Sequence, residues 1–181
     1  GGVNAWQCDQ MGHLNVRFYV AHAMEGLAGL AGAMGMEQAF SPRGGSTLAV
    51  REHHIRFLRE ARTGDPLHML AGLTEMGEDE ARAAMLLVRS GANRPAAIVQ
   101  TRFQHVSAAE GRPFPWPKAA RLRADALKVR IPEGLGPRSL EPGAAAPSRS
   151  LAEAGSAGLI AYGAGAGGPA DCDVFGRVAA H

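Results

Sequence analysis

The chain has 181 residues, 46% of them apolar and 20% charged, with a formal net charge of +2. That is room for one domain with a substantial core, and a balance too neutral to steer nucleic acid. Its most basic stretch, Lys118 to Arg130, includes Asp125 and reads as a solvated face, not as a nucleic-acid patch. No run reaches the roughly 18 apolar residues that a membrane span needs. No basic start leads into a short apolar core, so no signal peptide is expected. The chain does not begin with Met, and trimmed ends are expected. Cys8 and Cys172 form neither a disulfide framework nor a metal knuckle, and a reducing cytoplasm is the expected setting.

Gly1 to Gln7 is compatible with a leading strand. The next stretch, Trp6 to Asn15, gathers Asp9, Gly12, His13 and Asn15 where a strand should turn into a helix. From Val16 the apolar positions 16, 20, 23, 24, 27, 30, 31 and 34 follow helical periodicity with a wide buried stripe. Asn15 stands where an N-cap belongs, and Gly35 where the helix stops. Inside this helix Gly26, Gly29 and Gly32 recur, each costing about 1 kcal/mol relative to Ala. Such a cost predicts another backbone in close approach, as when a sheet wraps the helix.

Ser41 to Gly45 is a turn cluster, and the texture then changes to strands. Ser46 to Arg59, Leu67 to Thr74, Ala81 to Arg89 and Ala96 to Val106 alternate with short Gly- and Asp-containing breaks. Strand, long buried helix and four strands make an α+β module with an antiparallel meander. The expected organisation is a domain over 1–117, a Pro/Gly/Ala-rich linker over 118–157 and the opening of a second module over 158–181. The last reading rests on an echo: Cys8, Asp9 and Gly12 recur at one constant offset as Cys172, Asp173 and Gly176. Gly163 to Gly168 is glycine-rich but lacks the Gly-Lys-Ser/Thr ending of a phosphate loop, and reads as a connector.

Cys8-Asp-Gln-Met-Gly-His-Leu-Asn15, followed by Val16-Arg-Phe-Tyr19, resembles the hotdog-fold acyl-CoA thioesterases, in the 4-hydroxybenzoyl-CoA thioesterase-like branch. The likeness runs on through Val50 to Leu58 and Thr63-Gly-Asp65. It implies a five-stranded antiparallel sheet curled around the central helix. It also implies paired modules, as a homo-oligomer or a tandem pseudo-dimer, sharing sites along their interface. In the echo, Arg177 and Ala179 stand in the His and Asn positions, so a second site is expected to be altered.

The implied reaction is hydrolysis of an acyl-CoA without cofactor or metal. Asp9 matches the family's catalytic aspartate, acting as general base or as nucleophile. His13 and Asn15 are motif positions that can assist proton transfer, orient Asp9 or a water, or simply hydrogen-bond and cap. Met11, Gly12, Val16 and Tyr19 are expected against the substrate. N–H groups at the helix start, that of Val16 or its neighbours, can hold the oxyanion. An Asx-turn is the alternative reading of Asp9. Glu25, on the helix, is where other hotdog branches place a carboxylate, but its surroundings here favour a surface or interface acid. Arg56, Arg59 and Arg102 are the basic residues considered for the nucleotide phosphates. His53 and His54 point to opposite faces of a strand and cannot simply chelate one ion. A hotdog hydratase or dehydratase, and a non-catalytic acyl-thioester-binding module, are the alternatives.

Overall fold

The computed structural model describes residues 1–138, 150–160 and 172. Helix α1 spans Val16–Ala33 and is followed by strands β1 (Ser46–Phe57), β2 (Leu67–Met76), β3 (Glu80–Arg89) and β4 (Arg94–Ser107). The strands form one antiparallel sheet in the order β1-β4-β3-β2. Strand register sorts the side chains into two faces. Val50, Phe103 and Ala81 lie in one row, and Ile55, Val99 and Met85 in the next. These positions bury against Ala23, Leu27, Leu30 and Ala31 of α1. This is the hotdog arrangement, an α+β layer in which one curled sheet covers one helix.

The expected fifth strand does not form as an element. Val3 donates to the Asp65 carbonyl (2.9 Å) and Gly64 to the Val3 carbonyl (2.9 Å), with an isolated bridge between Gly2 and Pro66 beside β2. A 3₁₀ turn at Ala5–Gln7 then ends the pairing. Gln7 Oε1 takes the Asn4 N–H (2.8 Å), while the Gln7 N–H bonds the Asn4 carbonyl (3.0 Å). A local side-chain acceptor has outcompeted the ladder for that backbone.

Helix α1 begins and ends as its sequence reads. Asn15 Oδ1 accepts from the Arg17 N–H at 3.1 Å. At the other end Gly35 adopts φ +78°, with Gly35 N–H bonded to Gly32 O and Met36 N–H to Ala31 O, both at 2.8 Å. That pair of bonds is a Schellman motif. The glycine expectation needs correction. Only Gly26 is tightly packed, and a Cβ there would meet the Met69 and Met85 sulfur atoms at 2.5 and 2.9 Å, not a backbone. At Gly29 and Gly32 a Cβ would meet nothing within 4 Å.

The linker boundary also moves. Residues 118–124 form α2 (Lys118–Ala124), whose Ala120 and Ala124 are buried in the main core. Beyond it, the Val129 N–H bonds the Leu73 carbonyl at 2.8 Å. Small apolar residues at i and i+4 let this short helix seat closely, so the first part of the presumed linker belongs to the folded unit. A short helix α3 (Leu151–Ser156) follows, with no buried residues. The echo at 173–177 and the glycine run at 163–168 lie outside the described residues, as does most of the proposed second module.

Two histidines lie on the helix-covered side, His105 buried and His53 half-buried. His105 is fully buried between Phe114 and Trp116, its Nδ1 within 3.1 and 3.2 Å of the Phe114 and Pro115 carbonyls. His53 bonds Thr101 Oγ1 at 2.8 Å. Burial lowers both imidazoles' pKa from the ordinary value. A neutral imidazole is therefore what the fold accommodates. Stability from these groups is complete above the ordinary imidazole value of about 6.5 and falls as pH drops toward the lower folded value. Urea midpoints measured from about pH 7.5 down to about pH 5 should decline, and His105→Gln should flatten that slope. An unchanged slope would mean that His105 titrates alike in folded and unfolded chains.

Candidate active site at the start of the central helix

The loop before α1 is closed by its own backbone. Cys8 and Leu14 form an isolated antiparallel bridge. Within it the Asp9 N–H bonds the His13 carbonyl (2.9 Å) and the Gly12 N–H bonds the Asp9 carbonyl (3.0 Å). Gly12 takes φ +76°, the left-handed conformation that a residue with Cβ disfavours. Asp9 Oδ1 accepts from the N–H groups of Met11 (2.8 Å) and His13 (3.0 Å). Among the described residues Oδ2 has no hydrogen-bond donor. The Asx-turn and the catalytic reading therefore describe different oxygens of one carboxylate. The His13 N–H, foremost, holds the Asp9 pKa below the ordinary carboxylate value, joined by the Met11 N–H and the imidazole's charge. Asp9 is ionised at neutral pH.

The helix start lies beside this loop, because the Asn15 N–H bonds the Gln7 carbonyl at 2.9 Å. Of the first three N–H groups of α1, Arg17 is held by Asn15 Oδ1 (3.1 Å) and Phe18 by Asn15 O (2.9 Å). The Val16 N–H has no acceptor among the described residues. Asn15 is thus engaged as an N-cap, and the helix dipole leaves one N–H of its first turn open.

The loop is clamped onto the segment between β1 and β2. The Leu14 N–H bonds the Ala61 carbonyl (2.8 Å), and His13 bridges Arg62. Cys8 Sγ accepts from Thr63 Oγ1 at 3.1 Å, consistent with a small packed residue instead of a nucleophile. Asp65 is held by the Arg62 N–H (2.8 Å) and lies against Arg89, with Nε 2.9 Å from Oδ2 and Nη2 3.0 Å from Oδ1. The turn that carries this clamp, Thr63-Gly64-Asp65, is itself fixed by the hydrogen bond from Arg89 Nη2 to Asp65 Oδ1 and the charge of the guanidinium.

His13 departs from one sequence expectation. Its imidazole Nε2 lies 3.2 Å from Glu60 Oε2, which also accepts from Arg62 Nη2 at 2.9 Å. It is the backbone N–H of His13, not its ring, that bonds Asp9. Glu60 had no signal in the sequence, since nothing in its neighbours marks it and its partner is far away along the chain.

The remaining expected contacts divide. Met11 and Val16 are exposed, at 74% and 56%. Trp6 and Phe57 are exposed near them in the fold, Trp6 packing edge-on to Phe18 and Phe57 to Tyr19. Tyr19 is buried in a second cluster with Val3, Leu14, Ala61 and Leu67. Its burial raises the phenol pKa, and it packs the clamp more than it lines an opening. Glu25 sits on α1 with its Oε2 3.0 Å from His22 Nδ1. The two lie on a cavity of about 300 Å³ beside α1, with Gly26, Leu67 and Met69 among its walls. Of the three arginines, Arg102 is held between Glu52 (3.2 Å) and Glu80 (2.9 Å), and Arg56 donates to the Gly136 carbonyl at 3.1 Å and to that of Gly134. Arg59 is exposed and donates to the Pro95 carbonyl at 3.5 Å. His53 and His54 lie on opposite faces as expected, His53 against Thr101 and His54 opposite Gln100 on the other side. Among the described residues no three His, Cys, Asp or Glu side chains are placed to hold a metal. No helix there is long and apolar enough to cross a membrane.

Solved structures share this architecture at low sequence identity. A Pseudomonas aeruginosa protein superposes with a TM-score of 0.64 at 16% identity, over 71% of this chain and 88% of its own. A 1,4-dihydroxy-2-naphthoyl-CoA thioesterase from Synechocystis does so with 0.61 at 16%, over 70% and 93%. A Thermus thermophilus thioesterase, solved with coenzyme A and zinc, gives 0.60 at 21%, over 72% and 93%. No curated protein sequence matches the chain. Residues 3–124, which hold the Asp9 loop, α1, the whole sheet and α2, match the model of the thioesterase-like superfamily, and the chain belongs to that family.

Proposed function

We propose that this protein hydrolyses acyl-CoA thioesters, with Asp9 as the reacting carboxylate, as in the 4-hydroxybenzoyl-CoA thioesterase-like branch. The observation that carries the reading is the division of labour within Asp9: Oδ1 is locked by two backbone N–H groups, while Oδ2 is uncommitted beside an open helix start. In the base route, Oδ2 takes a proton from water as the water oxygen bonds the thioester carbon. The carbonyl oxygen gains charge, and the open Val16 N–H can donate a hydrogen bond to it. Collapse breaks the C–S bond, and the departing thiolate takes back the proton that Asp9 Oδ2 accepted, directly or relayed through His13. In the nucleophile route Oδ2 bonds the carbon directly, the C–S bond breaks and the thiolate leaves, and water then hydrolyses the mixed anhydride to the free acid and Asp9.

The exposed Trp6, Met11, Val16 and Phe57 form the apolar surroundings that a second hotdog module would cover, whether from another copy or in tandem. Such cover would dry the site and strengthen its electrostatics. A panel of aromatic and medium-chain acyl-CoAs, followed by thiol release, tests the reading. Release for at least one class is expected. Hydration of an enoyl-CoA without thiol release would replace it with the hydratase reading, and acyl-CoA-dependent thermal stabilisation without turnover would replace it with a binding module.

A further inference from the structure

Glu60 is an ionisable group that the fold adds to the Asp9–His13 loop without any motif calling for it. Its position is set by backbone, because its neighbour Ala61 accepts from the Leu14 N–H (2.8 Å) and Arg62 bridges His13. Its carboxylate is anchored by Arg62, with Nη2 2.9 Å from Oε2, and the same oxygen lies 3.2 Å from His13 Nε2. All three side chains are partly exposed, His13 at 27%, Glu60 at 58% and Arg62 at 60%. Ion pairs so exposed contribute little to stability. Stability alone gives this arrangement no purpose.

We propose that Glu60 is a positioning residue for the site: the negative charge of its carboxylate, 3.2 Å from Nε2, favours the proton on that nitrogen of His13, biasing the ring's orientation and leaving Nδ1 as the nitrogen with the lone pair. The argument is that of a carboxylate–imidazole pair. An anionic acceptor at one ring nitrogen selects the tautomer protonated there, and the other nitrogen becomes the one that can exchange a proton with a reacting group. His13 in turn is within electrostatic reach of both carboxylates, since its charge lowers the pKa of Asp9 and of Glu60. Arg62 makes the largest contribution at Glu60. It keeps Glu60 ionised and therefore an acceptor only, so the bare Nε2 of the other tautomer of His13 finds no donor there. The inference rests on the thioesterase reading above and adds to it which nitrogen of His13 serves the reaction.

The test uses the full chain with Glu60→Ala and Glu60→Gln, assayed with whichever acyl-CoA the wild type hydrolyses, alongside Asp9→Asn. Both Glu60 variants are expected to lower kcat by about 10- to 100-fold with KM little changed, as loss of an orienting partner does. A glutamine can present its N–H₂ to the ring and admit the other tautomer, so it should not rescue. The ring ¹⁵N resonances of neutral His13 supply a readout that does not depend on turnover. Wild type should show a protonated Nε2 and a bare Nδ1, and both variants a mixed or reversed pattern. Unchanged kcat together with unchanged ring resonances would overturn the proposal and leave a surface ion pair. Should Asp9→Asn retain turnover, the catalytic reading fails instead, and the ¹⁵N pattern still decides whether Glu60 sets the tautomer.

Discussion

Asp9→Asn is expected to lower the rate of thiol release from acyl-CoA by about 10²–10⁴-fold, while leaving the fold intact. The asparagine amide oxygen can still accept from the Met11 and His13 N–H groups, so the loop keeps its shape. What is lost is the second carboxylate oxygen as base or nucleophile. A circular dichroism melt within a few degrees of wild type, paired with collapsed kcat, is the expected pattern. The carboxylate's behaviour with pH follows from the same contacts. Because the backbone N–H groups lower the folded pKa, the active ionised form persists as pH falls below the ordinary carboxylate value. An acid limb of kcat/KM assignable to Asp9 therefore belongs below that value in the free chain. Asp9→Asn with near-normal turnover would move the chemistry away from this loop altogether.

Phe103→Ala should be the most destabilising single change of the core, by about 3–5 kcal/mol in urea unfolding. Phe103 is fully buried at the centre of the helix-covered face, opposite Val50 and Ala81 in register. Its ring meets Trp116 edge-on, with centroids 6.0 Å apart, and so ties the segment after β4 to the sheet. The cavity would lie between α1, β1 and that segment, none of which can collapse inward without breaking strand pairing. Trp116 fluorescence should report a loosened indole environment before global unfolding. A loss of less than about 1 kcal/mol would mean that the core repacks freely around this ring.

The parts of the fold that follow local rules are legible in the chain. The span of α1 is written in its apolar period, its cap in Asn15 and its stop in Gly35. The four strands read correctly to within a few residues, because hairpin breaks such as Ser90 to Asn93 interrupt an alternating pattern. The leading strand misreads, because Asn4 and Gln7 offer each other hydrogen bonds that no periodicity reveals. The boundary at residue 118 misreads for another reason. A segment rich in Ala, Pro and Arg has linker composition, and only the space left under the sheet makes Ala120 and Ala124 a packing face. The glycines of α1 mislead in the same way, since the sequence marks a cost but not which of the three faces the sheet.

At the site, the motif names Asp9, Gly12, His13 and Asn15 together because seven consecutive residues fold into one closed turn. Backbone geometry at that scale is a property of the segment itself. Which oxygen of Asp9 is occupied, which N–H of α1 stays open, and what His13's ring touches are questions of another kind. Their answers depend on pairing Leu14 with Ala61, a contact between distant stretches of chain. The sequence by itself determined the helix, the strands and the loop with its acid. Only the tertiary structure decided that Glu60 stands at His13, that Arg102 and Arg56 are already engaged, and that Tyr19 is buried. Side-chain partners across long separations are set by how the sheet wraps the helix, and no local spacing encodes that.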